Sequence, residues 1–515
     1  MKKSIILGLL TLPILASAQL NNPPSDVKFV KNMFGIKISP NGEWIASEAG
    51  DAMVYNVKTG ESFTYEGYFL GDHHAVANNG MAVGNSESFL GTIYSEGEVT
   101  SPRSFLLNGV QVVNSITPDG SVITGYCSNR NSSTEGISFL PFIGYVNSPT
   151  DVEIVIPDYP KRDFFGGPPV YILGFALSDD GKTMVGTVTD FRGMYTYPIV
   201  FKEESHGQWN YSLPSESLFN PTHINIPPNP EFNEPIFPEP ADYMSGFKKI
   251  AYQDAYEQFS QGYADEPDPL EYMTEEQAVA YLNALDFWMK WAQDNEAAVQ
   301  EYFKLYQQVL RTTPSFGHNQ SAISPDGKFM VIPGGAEDEN DEVNNNLYKF
   351  NCDGSGYVKY AMPTGSLFPT QVLTDGAVVL TSPPDQSPDT YIMVPGGYKF
   401  TKFSDLLKTD YPQIANWVTS NFSANGQVCF SDDMSVASGA VTYYIAAMEE
   451  KYATYIIQNL KVSGVEEIAE EPGFDGVYKV YNLQGVKVLE TKNAGEINTL
   501  GKGIYIINGK KVYLR

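Results

Sequence analysis

The sequence contains little cysteine, few positive charges and no long hydrophobic run after its first eighteen residues. Its three cysteines, Cys127, Cys352 and Cys429, are odd in number and widely spaced, which argues against a disulfide framework and a paired metal motif. Lys and Arg total 33 against 61 Asp and Glu, so the net charge is −28 and we expect no nucleic-acid partner. Without a second hydrophobic run of about 20 residues, the sequence predicts no transmembrane segment.

Recognised catalytic motifs are missing as well. The chain has no Gly-x-Ser-x-Gly nucleophile elbow, no phosphate-binding glycine loop, no His-Glu-x-x-His and no Cys/His metal spacing. The carboxylate pair of a glycosidase is defined in space rather than by spacing along the chain, so that activity stays open. The missing motifs favour a binding protein over an enzyme, and they predict no cofactor.

One short phrase recurs along the chain, with Ser324-Pro325-Asp326-Gly327 as its clearest copy. Proline presets φ, Asp or Asn accepts backbone hydrogen bonds, and glycine takes positive φ, so the phrase predicts a tight hairpin turn. An apolar residue precedes each copy and apolar strand residues follow it. The other six copies span residues 39–42, 77–80, 117–120, 178–181, 373–376 and 423–426.

A turn that recurs roughly every 40 to 60 residues indicates a β-propeller with one four-stranded blade per copy. We therefore predict a mainly β protein with a seven-bladed propeller, six or eight blades being possible. Residues 431–434 look like a decayed eighth copy, which we assign to the last blade. The phrases resemble the Ser-Pro-Asp-Gly-Lys repeats of TolB-like extracellular propellers, and this resemblance implies a fold without specifying a function.

The spacing of the turns also divides the chain into domains. The gap between the fourth and fifth copies is too long for one blade, and it contains a Pro-rich linker followed by helical periodicity. The predicted divisions are a signal peptide at 1–18, blades one to four with the linker at 19–240, a helical insert at 241–312, blades five to seven at 313–463, and a small C-terminal β-sandwich at 464–515.

The predicted insert is rich in aromatic residues. Its second helix opens with a capping box formed by Thr274 and Gln277, and we expect that helix to break near residues 294–295. Trp288 and Trp291 share one helix face, with Tyr281 two turns earlier. The three rings could stack on a sugar or a peptide, or they could form an apolar seam, which is the more common role of such stripes.

Two further groups of residues could bind metal. Asp338, Glu339 and Asp341 belong to an acidic loop that could hold a structural Ca²⁺, although its spacing is not that of an EF-hand and a solvated loop is the simpler interpretation. His73 and His74 are adjacent, and neighbouring strand residues point to opposite faces, so they are poorly suited to chelate one ion. We interpret them as structural histidines.

The two ends of the chain predict its location. Lys2 and Lys3, an apolar stretch and Ala16-Ser17-Ala18 have the pattern of a secretory signal peptide. Near the other end, the phrases at 481–485 and 502–505 resemble the C-terminal sorting domain of the type IX secretion system of Bacteroidetes. This resemblance implies recognition by outer-membrane secretion machinery. The expected location is therefore extracellular or on the outer-membrane surface.

Two classes of function remain. The first is a secreted or cell-surface propeller that acts as a non-catalytic binding or scaffold protein for a glycan, a peptide or a protein partner. The second is a secreted glycan-active hydrolase or lyase with its site at the central funnel of the propeller. Carboxylates that converge there with aromatic rings and an Arg or His would favour the enzyme.

The acidic segment 466–473 predicts that the C-terminal region is not needed for the propeller to fold. A protein comprising residues 19–465 should be soluble and should melt in one cooperative transition, because the propeller keeps its complete core. Circular dichroism during heating measures this. An insoluble product, or a melt without a cooperative transition, would show that the tail belongs to that core.

Overall fold

The structure is a computed structural model of the chain. It describes residues 22–47, 51–161, 169–190, 195–214, 234–317, 321–336, 346–363, 367–382, 390–393, 400–422, 424–445, 449–460, 478–482, 487–491, 503–507 and 510–514, together with the single residues 218, 225, 227, 230, 497 and 500. The predicted signal peptide lies outside the described residues. No helix in the described part of the chain is long and apolar enough to cross a membrane.

Short strands dominate the chain up to residue 212. They are β1 (Val27–Lys31), β2 (Gly35–Ile38), β3 (Trp44–Ser47), β4 (Ala52–Asn56), β5 (Ser62–Tyr65), β6 (Tyr68–Leu70), β7 (Ala82–Ser86), β8 (Gly91–Ser95), β9 (Glu98–Thr100), β10 (Val110–Ile116), β11 (Val122–Ser128), β12 (Phe139–Ser148), β13 (Asp151–Val155), β14 (Tyr171–Leu177), β15 (Thr183–Thr189), β16 (Thr196–Ser205) and β17 (Gln208–Ser212).

Strands resume after residue 314. They are β18 (Ser315–Phe316), β19 (Ala322–Ile323), β20 (Phe329–Gly335), β21 (Asn346–Asn351), β22 (Tyr357–Ala361), β23 (Phe368–Val372), β24 (Val378–Thr381), β25 (Thr390–Met393), β26 (Thr401–Lys402), β27 (Ala424–Phe430), β28 (Val436–Ile445), β29 (Glu449–Gln458), β30 (Tyr478–Asn482), β31 (Lys487–Thr491), β32 (Gly503–Ile507) and β33 (Lys510–Leu514).

The helices are α1 (Arg103–Asn108), α2 (Ser132–Glu135), α3 (Gly246–Ser260), α4 (Glu275–Leu310), α5 (Phe403–Asp410) and α6 (Pro412–Asn421), with 3₁₀ turns at Pro240–Tyr243 and Pro269–Tyr272.

Consecutive strands pair in antiparallel groups, mostly of four. The groups are β2–β5, β6–β9, β10–β13, β14–β17, β18–β22, β23–β26, and β27–β29 with β1. A single parallel bridge between Phe139 and Tyr171 joins the third group to the fourth. The protein is therefore mainly β, with several small antiparallel sheets, as predicted. We call these groups sheets one to seven.

The N-terminal strand completes the seventh sheet. β1 pairs with β29 from Val27 opposite Ile457 to Lys31 opposite Ala453. This corrects the predicted boundary, because part of the segment assigned to the first four blades belongs to the last sheet. The pairing joins residues more than 400 positions apart, and sequence periodicity carries no information about such a partner.

Each of these sheets has a tight turn between its first and second strands, if β18 and β19, which both pair with β20, are counted as one interrupted strand. Six of the predicted phrases occupy that place, but residues 424–426 of the seventh lie within β27. The turn of the seventh sheet is Ser431-Asp432-Asp433-Met434, the copy that looks decayed because it lacks glycine. Met434 takes a positive φ of 57°, so glycine is dispensable at this position.

The third residue of the phrase holds each turn together. Its side-chain oxygen accepts a hydrogen bond of 2.9 to 3.1 Å from the main-chain N–H two residues later in all seven turns. Asp or Asn is needed because only a short side chain with an acceptor oxygen can close such a turn on its own backbone. The third residues are Asn41, Asn79, Asp119, Asp180, Asp326, Asp375 and Asp433.

Neighbouring turns also bind one another through their second residues. Asn78 donates its main-chain N–H to the Pro118 carbonyl at 2.8 Å, and Asp179 donates to Pro325 at 2.8 Å. Asp432 donates to the Pro40 carbonyl at 2.9 Å, which joins the seventh turn to the first. A proline at this position accepts but cannot donate, since it has no N–H.

The glycines at the fourth position let neighbouring sheets come close. Gly80 has a φ of +84°, and a Cβ there would lie 2.6 Å from the ring of Trp44 in the first sheet. A Cβ at Gly42 would likewise lie 2.8 Å from the side chain of Val436 in the seventh sheet. Glycine therefore serves both the turn conformation and the packing between sheets.

A second compact unit comprises the described residues of the segment 220–313. Its core contains Met244, Tyr252, Met273 and Tyr281. The capping box at the start of α4 is confirmed, because the side chains of Thr274 and Gln277 each bind the main chain of the other. The expected break in α4 was wrong: the helix is continuous through residues 294–295.

The C-terminal strands form one antiparallel sheet in the order β31-β30-β32-β33. Tyr478, Val480, Ile497 and Ile507 provide its buried residues. The predicted sandwich was wrong for the described residues, which contain one layer of strands here. Alternating apolar residues show that a strand has a buried face, and they do not reveal whether a second sheet or other chain covers it.

Two glycines with positive φ separate the cost of the backbone conformation from the cost of packing between sheets. Gly60 has a φ of +78° and open space around it, its nearest contact being the Tyr55 hydroxyl at 3.8 Å, whereas Gly80 has a similar φ and lies against Trp44. Gly60→Ala should cost about 1 kcal/mol for the left-handed backbone. Gly80→Ala should cost roughly 1 to 3 kcal/mol more, because Trp44 must move. Urea denaturation measures both, and equal losses would contradict packing between the sheets.

Candidate functional site

The first strands of four sheets carry a bulge at the same place. The extra residue stands three positions before the turn phrase and has no directly opposite partner on the second strand. A bulge bends the strand and redirects the neighbouring side chains. The bulged residues are Ile36, Asn114, Phe175 and Thr370.

A pocket lies beside the first strands of sheets one, six and seven and the segment that precedes β7 in sheet two. It has about 310 Å³ of empty space, counting the part open to solvent. Its walls come from sheets six, seven, one and two, which follow one another through the contacts between turns. The lining residues are Ile36, Lys37, Ile38, His73, His74, Thr370, Gln371, Gln427 and Cys429.

The two histidines reach the pocket because their segment is a bend and not a regular strand. The His73 N–H donates to the Asn114 carbonyl at 3.1 Å, and the Ile116 N–H donates to the His74 carbonyl at 2.8 Å. The His73 ring lies 5.5 Å from that of Phe175, measured between centroids. Alternation of side chains does not apply here, so both rings line one pocket.

Both imidazoles have a buried nitrogen with no hydrogen-bond partner among the described residues, Nε2 in each case. Burial lowers the pKa of His73 to about 3, with further lowering by the positive charges of Lys37 and His74. Burial and Lys37 lower the pKa of His74 to about 4. The two rings are therefore neutral at pH 7.

The remaining polar groups of the pocket are mostly engaged. The Gln371 amide donates to the Phe430 carbonyl and accepts from the Phe430 N–H, both at 2.8 Å. Lys37 donates from Nζ to the Asp72 carbonyl. Burial raises the pKa of the Cys429 thiol to about 12, so it is not a thiolate. The other two cysteines are also buried free thiols.

Acidic residues lie at the turns that follow these first strands. Desolvation, followed by repulsion from Asp180 and Asp326, raises the pKa of Asp179 to about 6. Desolvation, followed by repulsion from Asp179 and Asp433, raises the pKa of Asp432 to about 7. Asp179 is exposed and Asp432 is half-buried. The turns of the fourth and seventh sheets are thus close enough for their charges to interact.

The third-position aspartates behave in the opposite way. Desolvation raises the pKa of Asp433, but hydrogen bonds from Ser435 and Ser431 outweigh it and hold the pKa below its ordinary value. The pKa values of Asp119 and Asp326 are also below their ordinary value, because hydrogen bonds again outweigh desolvation. The donors are Thr117 and Ser121 for Asp119, and Lys328 and Ser324 for Asp326. One tetrapeptide therefore contains an aspartate that favours the proton and one that favours the charge.

The three predicted aromatic residues lie in the helical unit. Tyr281 is buried in its core and meets Tyr243 edge-on at 5.5 Å. Trp288 is half-buried, its indole N–H donates to Glu234 at 3.1 Å, and Phe237 meets it edge-on at 5.0 Å. Trp291 is also half-buried. Stacking of a sugar or a peptide on Trp288 and Trp291 stays a prediction.

The predicted Ca²⁺ ligands Asp338, Glu339 and Asp341 lie outside the described residues. Among the residues that the structure does describe, no group of three or more His, Cys, Asp or Glu side chains is arranged to hold a metal ion. His206 is exposed and within 4.0 Å of carboxylate oxygens of Glu153 and Glu203.

The pocket itself was not predicted from the sequence, although its position could have been. Lys37, Gln371 and Cys429 each stand two residues before a turn phrase, and His74 stands three before. Aligning the phrases, with residues 431–434 in place of 423–426, would have placed these polar residues at one level. Sequence reasoning examined the histidines only as a pair of metal ligands.

Comparison with known proteins leaves the family open. No family model and no curated protein matches the chain. Among the solved structures that resemble it are TolB from Acinetobacter baumannii (10% identity, TM-score 0.28, 82% of this chain and 66% of that one), the β-propeller domain of the Trilobed protease from Pyrococcus furiosus (9%, 0.29, 94% and 98%) and the polysaccharide lyase Uly1 (12%, 0.28, 83% and 90%). Similarities at this level carry no argument about function.

The two aspartates of the seventh turn should respond oppositely to substitution. Because the fold raises the pKa of Asp432 from 3.8 to about 7, its stabilising contribution is complete below pH 3.8 and is lost as the pH rises through about 7. Asp432→Asn should therefore stabilise the protein at about pH 8 and have little effect near pH 4, by less than about 1 kcal/mol since the site is open to solvent.

Asp433→Asn is the matched control. It removes a charge that the fold favours, so it should destabilise the protein at about pH 8. Thermal melts at several pH values measure both variants against the wild type, whose histidines titrate equally in all three. Changes in melting temperature of the same sign at pH 8 would contradict the opposite pKa shifts assigned to Asp432 and Asp433.

Proposed function

We propose that the sheets between residues 22 and 460 form a seven-bladed β-propeller, exported from the cell, which binds a glycan, a peptide or a protein partner without catalysing a reaction. The fold is supported by the cyclic order of the turns, in which the seventh binds the first, and by the pairing of β1 with β29. On this architecture the helical unit is an insert between the fourth and fifth blades.

The composition of the pocket carries the functional proposal. Imidazoles with pKa values of about 3 and 4 are too weakly basic to act as general bases at neutral pH. A thiol with a pKa of about 12 is a poor nucleophile. A pocket that offers polar groups without an activated one is suited to holding a ligand.

A secreted hydrolase or lyase acting on glycans is the second candidate. Histidines at the funnel are one of the features that such an enzyme needs, and the pocket supplies two. The lining residues include neither a carboxylate nor a Phe, Tyr or Trp ring, so a glycosidase pair and the usual stacking platform are both missing from them. Binding therefore has the stronger support.

The proposed location rests on the two ends of the chain. The signal peptide pattern at 1–18 supports export. The tail at 464–515 resembles a sorting domain, and its sheet has buried residues of its own, as expected of a region that secretion machinery recognises separately. Surface display or release into the medium is the corresponding expectation.

Binding and turnover can be measured on the same sample. The purified protein is applied to arrays of polysaccharides and peptides, and the compounds that bind are then incubated with it and examined for cleavage by mass spectrometry. We expect binding without products. Products that disappear in the His74→Asn variant would contradict the proposal and would support the glycan-active enzyme.

A further inference from the structure

The pocket between the first strands has a charge opposite to that of the whole chain. Lys37 is the one charged residue among its lining residues, whereas the net charge of the chain is −28. Lys37 also acts electrostatically on His73, His74 and Cys429, which shows that its charge reaches the interior of the pocket. A strongly acidic protein thus presents a small cationic site.

The histidine nitrogens lack partners that a ligand could supply. His73 is only 7% exposed, and its Nε2 has no hydrogen-bond partner in the described part of the chain, nor does Nε2 of His74. Leaving a buried polar atom unpaired destabilises the protein. Because the imidazolium form donates from both ring nitrogens, an acceptor oxygen beside Nε2 removes this penalty for a protonated ring.

The charged group of the pocket is a hydrogen-bond donor. Lys37 has three N–H donors and uses one for the Asp72 carbonyl. The Gln371 amide already donates to and accepts from Phe430, so it has less capacity left for a ligand. The other polar lining residues, Thr370 and Gln427, donate as well as accept. A carboxylate matches the donors of Lys37 with both of its oxygens.

We propose that the pocket formed by Lys37, His73 and His74 binds the carboxylate end of an anionic ligand and that binding is coupled to the uptake of a proton by the histidine pair. This inference rests on the proposed binding function and adds the chemical class of the ligand. A uronic acid and a free peptide C-terminus share this chemistry.

The direction of the coupling follows from the charges that face the pair. A bound carboxylate opposes the positive charge of Lys37 and favours the imidazolium, so the histidine pKa values rise on binding. Affinity should therefore increase as the pH falls, until the ligand itself is protonated. The groups packed around the pair are Lys37 from β2, Asn114 from β10, Phe175 from β14, Gln371 from β23, the neutral Cys429 thiol from β27, and Asp72 next to the pair.

The simplest probes are acetate and its neutral analogue acetamide. Histidine ring signals in NMR spectra report binding to the full-length protein at about pH 6 and about pH 8. We expect acetate to shift the signals of the two buried histidines and to bind about twofold more tightly at the lower pH, the gain that a rise in the pKa of His74 from about 4 to about 6 produces. Acetamide should produce no comparable shift.

Lysine variants test the source of the positive charge. Lys37→Met should weaken acetate binding by about tenfold or more, because a charged hydrogen-bond donor is lost. Lys58→Met is the matched control, since Lys58 pairs with Glu43 on the surface of the same sheet and does not line the pocket. Melting curves establish that both variants are folded, and the wild-type titration remains decisive if one of them is not.

Further probes distinguish the two ligand sources. Tighter binding of glucuronate than of acetate, with glucose inactive, identifies an acidic sugar. Tighter binding of N-acetylalanine, with its amide inactive, identifies a peptide terminus. Equal binding of acetate and acetamide in this pocket would overturn the anion preference while leaving the binding function intact, and binding that does not vary with pH would overturn the proton coupling.

Two results distinguish a failure of this inference from a failure of the proposed function. If neither acetate nor acetamide perturbs the histidine signals of the folded protein, the pocket is not a carboxylate site and the inference is wrong. Cleavage products from a bound polysaccharide or peptide would instead refute a non-catalytic role, whatever the probes show.

Discussion

The acceptor oxygen at the third position of each turn is the interaction on which the rest of the structure depends. It closes the turn on its own backbone in all seven sheets. The closed turn exposes the main-chain groups of its second residue to the neighbouring turn. In several turns it also places the fourth residue where only a minimal side chain fits beside the neighbouring sheet, as Gly80 does against Trp44. A local hydrogen bond thereby sets the spacing between sheets.

The pocket depends on the same geometry. Because each first strand ends at a turn of fixed form, residues two and three positions before the phrase come to one level in successive sheets. Bulges at Ile36 and Thr370 then redirect the side chains beside them. The His73–His74 segment follows β10 through main-chain hydrogen bonds instead of alternating as a strand, so it adds two imidazoles to one wall.

The turns and the pocket differ in charge. Desolvation raises the pKa of both second-position aspartates, Asp179 and Asp432, and repulsion from nearby carboxylates adds to this. The lining of the pocket, two or three residues earlier in the first strands, contains a lysine and neutral histidines. A rise of about 3.3 Å per strand residue separates the two levels by several ångströms, so they can differ in charge within one short path.

The sequence by itself determined the mainly β class, the places of six turns and the capping box of α4, because each depends on interactions among residues close together in the chain. It also indicated a helical segment between two sets of strands, but not that α4 is continuous, since a polar pair such as Asp294 and Asn295 is tolerated on an exposed helix face. Only the tertiary structure decided that Ser431–Met434 forms the seventh turn, that β1 joins β29, and that His73 and His74 share a pocket with Lys37. These features depend on contacts between separate sheets, some of which join residues hundreds of positions apart, and local patterns of polarity and turn chemistry do not encode such partners.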